Sequence, residues 1–187
     1  MSSRGSVAAA VLAVALVFAQ VLHAAVNPDA AIMQDFEKRV DAYLQLRKVV
    51  EAQMKVKLKS TASQEKINHY ENELGRKVRE ARIGARQGDI FTPDISAEMR
   101  RLTTLAMQPG DGVQIRQSLR HAEPVQLHLK VNDRYPQRVP LQSTPPSLLG
   151  NLPRLPPEIE YRVTGTDLVL LDTRANLIVD LIPGMFA

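Results

Sequence analysis

The chain contains no cysteine and no tryptophan among its 187 residues. The missing cysteine excludes disulfides, thiolate-bound zinc, iron–sulfur clusters, cysteine nucleophiles and a lipid-modified N-terminal cysteine together. Aromatic residues make up only 4%, which leaves little from which to build a base-stacking platform. Neither sign of charge dominates. The 24 Lys+Arg against 20 Asp+Glu leave +4, too mild a balance to call for nucleic acid, and no nucleic-acid partner is expected. No serine stands in a nucleophile-elbow context and no glycine-rich loop is spaced to cradle phosphate, so no cofactor is expected. What is present, 44% hydrophobic and 24% charged residues, fits one globular domain, or one domain with an extension, large enough to bury a core.

Residues 1–25 read as an address. Arg4 precedes the apolar run Val7 to Ala19, and the small residues Ala24 and Ala25 precede Val26-Asn27-Pro28-Asp29. A basic start, an apolar middle of this length and a small-residue exit describe a secretory signal peptide. The alternative is an uncleaved anchor in the inner membrane over residues 7–26, long enough to span a bilayer but weakened by Gln20 and His23. Export to the periplasm is the expectation, and a chain without cysteine suits an oxidising compartment.

From residue 26 to 88 the pattern is helical. Asn27-Pro28-Asp29 offers a cap, a proline at the first helical position and an acid for the helix dipole. Met33, Phe36, Val40, Tyr43, Arg47, Val50 and Met54 then recur at spacings of three and four, a heptad seam with one polar interruption at Arg47. Ser60-Thr61 marks a break, with Thr61 and Gln64 spaced as a capping box. Ile67, Tyr70, Leu74, Val78, Ala81 and Ala85 form a second seam. Two amphipathic helices joined by a short break make an antiparallel hairpin; the alternative is coiled-coil pairing with a second copy, a homo-oligomer through the seams.

The remainder, residues 89–187, predicts an α+β part. Thr92-Pro93-Asp94 opens a third helix to about Ala106, and Val113 to His121 suits a short fourth. Val125 to Val131 alternates as a strand. Seven of the 12 prolines fall between Pro136 and Pro157, which makes residues 136–157 an extended, stiff connector. A Pro-x-x-Pro ligand can be drawn through Pro153 and Pro156, although a packed connector explains the same residues. Residues 159–182 read as a three-stranded antiparallel meander with turns at Thr164–Asp167 and Asp172–Asn176, Gly165 and Asn176 being its natural left-handed positions. The fold class expected is therefore α+β: an N-terminal helical hairpin, further helices, a proline-rich connector and a small C-terminal β-meander.

Three constellations are candidates for chemistry. Arg76, Lys77, Arg79, Arg82 and Arg86 form the densest basic patch, suited to an anionic surface or equally to a solvated helix end. Asp167, Asp172 and Asp180 punctuate the meander and could serve a small hydrolase if they converge on a cleft. His69, His121 and His128 have neither metal-ligand spacing nor an orienting partner, so no metal site is expected.

Several segments together resemble a known family. They are Gly88-Asp-Ile-Phe-Thr-Pro93, Asn132-Asp-Arg-Tyr-Pro136, Pro145-Pro-Ser-Leu-Leu149, Leu152-Pro-Arg-Leu-Pro-Pro-Glu158, Tyr161-Arg-Val-Thr-Gly-Thr-Asp-Leu-Val-Leu-Leu-Asp172 and Ala175-Asn-Leu-Ile-Val-Asp180. Over roughly Asn27 to Pro183 the chain resembles a family of exported, periplasmic bacterial proteins with no assigned activity. That resemblance implies residence in a Gram-negative-like envelope and supplies no reaction. The terminal hairpin is also similar to that of periplasmic nickel/cobalt-homeostasis proteins, in turn and strand residues only, and carries no metal function across. The function expected is that of a non-enzymatic binding, chaperone-like or scaffold protein whose partner is an envelope protein or polymer. The alternatives are a periplasmic hydrolase and a membrane-anchored protein.

Overall fold

The computed structural model describes residues 28–55, 63–107, 128–136, 148 and 150–186. The export address, the Asn27 cap, Thr61, the helix expected over Val113–His121 and most of the proline-rich connector lie outside the described residues. Within them the fold is α+β: helices α1 (Pro28–Ala52), α2 (Gln64–Ala81) and α3 (Pro93–Ala106), then strands β1 (Ile159–Thr164), β2 (Asp167–Asp172) and β3 (Leu177–Ile182). No described helix is long and apolar enough to cross a membrane.

Each helix begins where local chemistry favours it. Pro28 and Asp29 occupy the first turn of α1. Thr92 caps α3, its hydroxyl accepting from Ile95 N, with Pro93 and Asp94 following. The capping box expected at Thr61 and Gln64 has its Thr61 half outside the described residues, and Gln64 is the first helical residue of α2. Ser63 is the residue that caps α2, without a side-chain bond, and Gln64 instead bonds Asn68 at 2.9 Å. Between these starts, the three/four spacing of apolar residues gives each helix one stripe to bury.

Most of the first stripe and the middle of the second are buried within this chain, while Ala81 of the second is exposed. Phe36, Val40, Tyr43 and Val50 of α1, Met54 just beyond its end, and Tyr70, Leu74 and Val78 of α2 share one cluster with Ile90, Phe91, Ile95 and Met99 and with Leu168, Leu170, Leu177, Val179 and Ile182 of the sheet. α1 packs on both α2 and α3. Gly75 brings the α2 backbone against the β2–β3 turn so closely that a β-carbon there would collide with the Ala175 carbonyl oxygen.

The sheet has order β1-β2-β3, both pairs antiparallel. Gly165 (φ 59°) turns the first hairpin and Asn176 (φ 45°) closes the second. One face of β2 and β3 meets the helices. Val169, Leu171, Ile178 and Leu181 on the other face are covered by Tyr135, Leu129 and Val131. Coverage on both sides explains why β2 and β3 read as continuous apolar runs.

The strand expected over Val125–Val131 is not present across its described part, residues 128–131. Leu129 and Val131 do face the second cluster while His128 and Lys130 are exposed, as the alternation requires. The chain then turns at Asn132 (φ 70°) and lays residues 132–135 along the outer edge of β3 instead of pairing as a strand. Asn132 N donates to Ile178 O at 2.9 Å, Ile178 N to Asp133 O at 2.9 Å and Tyr135 N to Asn176 O at 3.1 Å. The Asn132 side chain also donates to Arg79 O and Arg82 O, adding a second donor to each of two carbonyls at the end of α2.

Candidate functional site

The three aspartates of the meander do not converge. Asp167 and Asp172 occupy opposite ends of β2, roughly 17 Å apart at the rise of a strand. Each is bound by its surroundings. Asp167 accepts from Gly184 N at 2.9 Å and from Thr166 Oγ1 at 3.4 Å. Asp172 is sealed from solvent at 0% exposure. It accepts from Tyr43 Oη at 2.6 Å, Arg47 Nη1 at 3.2 Å, Arg174 N at 2.9 Å and Ala175 N at 3.0 Å. Arg47, 1% exposed, also pairs with Glu158 at 3.3 Å. Burial first, and the Asp172 carboxylate second, push the Tyr43 hydroxyl well above its ordinary value.

Asp180 is equally sealed but sits in a different setting. Leu170 pairs with Asp180 and Leu171 with Ile178, so Val179 is an extra residue, a bulge in β3. The bulge swings the Asp180 side chain to the helical face, opposite to where plain alternation would send it. There its carboxylate accepts Gly88 N at 3.1 Å, Ile90 N and Phe91 N at 2.8 Å each, and Leu181 N at 2.8 Å. It gathers the loop between α2 and α3.

The basic residues are divided among local tasks. Arg76 bridges Glu73 at 2.7 Å and Glu80 at 2.5 Å, and its bond to Glu73 lowers that carboxyl below the usual range. Lys77 lies 3.9 Å from Glu73. Arg79 Nε donates to Gly75 O. Arg82 turns inward, its guanidinium 5.0 Å from the centre of the Tyr43 ring and its Nη2 on Val179 O at 3.1 Å. Burial lowers its pKa. Arg86 is exposed. Four of the five are therefore engaged with groups of their own chain. His69 and His128 are exposed on separate elements, and the described residues hold no cluster of three His, Asp or Glu side chains able to bind a metal.

A second neighbourhood, not singled out by any motif, is concave. α1 and the end of the proline-rich connector enclose a groove of about 280 Å³ lined by Phe36, Glu37, Val40, Asp41, Arg154, Leu155 and Pro156. Its floor is rigid. The Phe36 ring stacks between Phe91 (5.7 Å, 7°) and Tyr161 (6.5 Å, 15°). The connector wall is pinned by Tyr161 Oη on Pro153 O at 3.2 Å and by Ile159 N on Pro156 O at 3.0 Å. Glu37 and Asp41, one turn apart on α1, form one rim with Arg154 on the other wall, and all three are exposed. The available signal was the pair of acids beside the seam positions Phe36 and Val40. Their facing wall comes from residues more than a hundred positions away, which no local pattern connects.

Comparison with models of protein families, with curated proteins and with solved structures gives no significant match to this chain.

Proposed function

We propose that the protein is a non-enzymatic binding protein of the bacterial envelope, exported by residues 1–25, and that it holds a macromolecular partner in the groove between α1 and the proline-rich connector. The observation that carries this reading is the groove itself: a closely packed, pinned base with exposed charged side chains on both rims. Its position joins the two parts expected to bind, the helical arm and the proline-braced end. The engagement of Asp167, Asp172 and Asp180 in structural hydrogen bonds supports binding over the hydrolase alternative.

Site-specific photo-crosslinking tests it in the intact envelope. A photoreactive residue at Glu37 or Asp41 is expected to give a discrete adduct. The same residue at Val49, exposed elsewhere on α1, gives none. Equal adducts from all three positions, or none from the groove, would overturn the assignment. N-terminal sequencing of the envelope-derived chain is expected to begin near Val26, and an intact Met1 would exclude the exported, cleaved form.

A further inference from the structure

The chemistry of the groove narrows what it takes. Resting on the binding role proposed above, we infer that the groove seats an extended peptide segment of the partner, with a lysine or arginine side chain beside an apolar one. Volume argues first. At about 280 Å³ the space falls just under the range of roughly 300–1,000 Å³ typical of small-molecule and cofactor pockets. It suits one or two side chains of a longer chain.

Charge argues second. Two carboxylates, Glu37 and Asp41, share one rim, so a cation entering the groove is attracted by both. Among the described residues no ion pair engages Glu37, Asp41 or Arg154, so the rim charges face the groove unneutralised by one another. Arg154 on the opposite wall, with its five donors, suits a backbone carbonyl or a carboxylate of the same segment. A polyanion, whether nucleic acid or an anionic lipid surface, would meet the acidic rim and be repelled.

Shape argues third. Phe36 and Val40 are themselves almost fully buried, so the apolar neighbour of the cation covers Leu155 and Pro156, the partly exposed apolar residues of the connector wall. Because the connector wall is pinned and α1 is packed through Phe36, little ordering cost falls on the protein when the segment enters. An extended segment would therefore lay its cationic side chain along the acidic rim while its backbone faces Arg154.

Binding of fluorescent hexapeptides to the full mature chain tests the assignment. One peptide carries a central leucine–lysine pair, a second replaces the lysine with glutamate, and free lysine serves as the non-peptide control. The lysine peptide is expected to bind about fivefold or more tightly than the glutamate peptide, with the margin shrinking as salt rises. The double variant Glu37→Gln/Asp41→Asn, which changes only exposed side chains, is expected to abolish that margin without changing the unfolding midpoint. Arg154→Ala is expected to weaken both peptides alike. Equal affinity for the two peptides, preference for the glutamate peptide, a margin that survives the double variant, or displacement by free lysine at comparable concentration would each overturn the peptide assignment. If groove crosslinks persist while the peptides fail to discriminate, the ligand chemistry alone falls. If the crosslinks are absent as well, the binding role falls with it.

Discussion

Asp172 and Asp180 stand eight positions apart in one small sheet, and both are completely buried, yet the protein neutralises them by different means. Asp172 is met by a guanidinium and a phenol from α1, with two amides of its own turn. Asp180 receives only backbone N–H groups, three of them from the loop between α2 and α3 and one from its own strand. Among the described residues no cation pairs with it. The first arrangement concentrates its stabilisation in one ion pair joining residues 125 positions apart. The second spreads it over several amides and, in doing so, gives the α2–α3 loop its shape. A buried charge can thus dock a helix or order a loop, depending on which donors answer it.

The largest test of that contrast is Arg47→Leu. Leaving Asp172 buried without its cation is expected to cost about 3–5 kcal/mol of unfolding free energy, measured by urea denaturation. Replacing Asp172 with leucine in the same chain is expected to recover much of the loss, because the uncompensated charge is then gone. A single-variant loss of only a few tenths would show that the ion pair is not what docks α1.

Asp180→Ala comes next. Removing the acceptor of three loop amides is expected to cost about 2–4 kcal/mol, less than a stranded charge because water can reach part of the loop. The distinguishing readout is hydrogen exchange: protection is expected to fall first at Gly88, Ile90 and Phe91, while α1 stays protected. A uniform rise across the fold would count against Asp180 as the hub of that loop.

The smallest effect is alkaline. Tyr70, bonded to Glu51 and lying near Arg174, is pushed up to about 12, by burial first and by the Glu51 contact second. The folded chain therefore holds this proton more tightly than the unfolded chain. The stability it contributes is complete below about pH 10 and is lost as pH rises through about 12. Tyr70→Phe is expected to flatten the fall in stability over that window, leaving the share contributed by Tyr43 and Tyr161, whose hydroxyls burial also pushes up. An unchanged slope would place the alkaline sensitivity elsewhere.

These contrasts also mark how far local pattern reaches in this chain. The seam from Met33 to Met54 located α1, Thr92-Pro93-Asp94 located the start of α3, and the turn residues placed all three strands within a residue of their ends. Gly165 and Asn176 take the positive φ that their turns predicted. Arg47 was visible only as an interruption in an apolar seam. A guanidinium on a buried stripe requires an acceptor, but nothing in spacing says that it is Asp172. The described end of the expected strand, residues 128–131, keeps its alternation of facing without a ladder, because the chain turns at Asn132 and occupies the edge of β3 by a different set of bonds.

Periodicity, caps and turn residues are short-range quantities, set by backbone sterics and by which side chains shun water, and they specified the three helices, the meander and the α+β class without reference to the whole. The bulge at Val179 lay beyond their reach, because shifting one residue reverses the face of every residue after it and depends on what the neighbouring elements offer. So did the fate of the aspartates. Whether a carboxylate becomes a catalytic group, a helix anchor or a loop hub depends on donors brought from distant segments, and the electrostatics of burial makes those donors obligatory. The groove beside Phe36 is of the same kind: one rim written in α1, the other in the connector, and a floor that exists only once the aromatic rings have stacked.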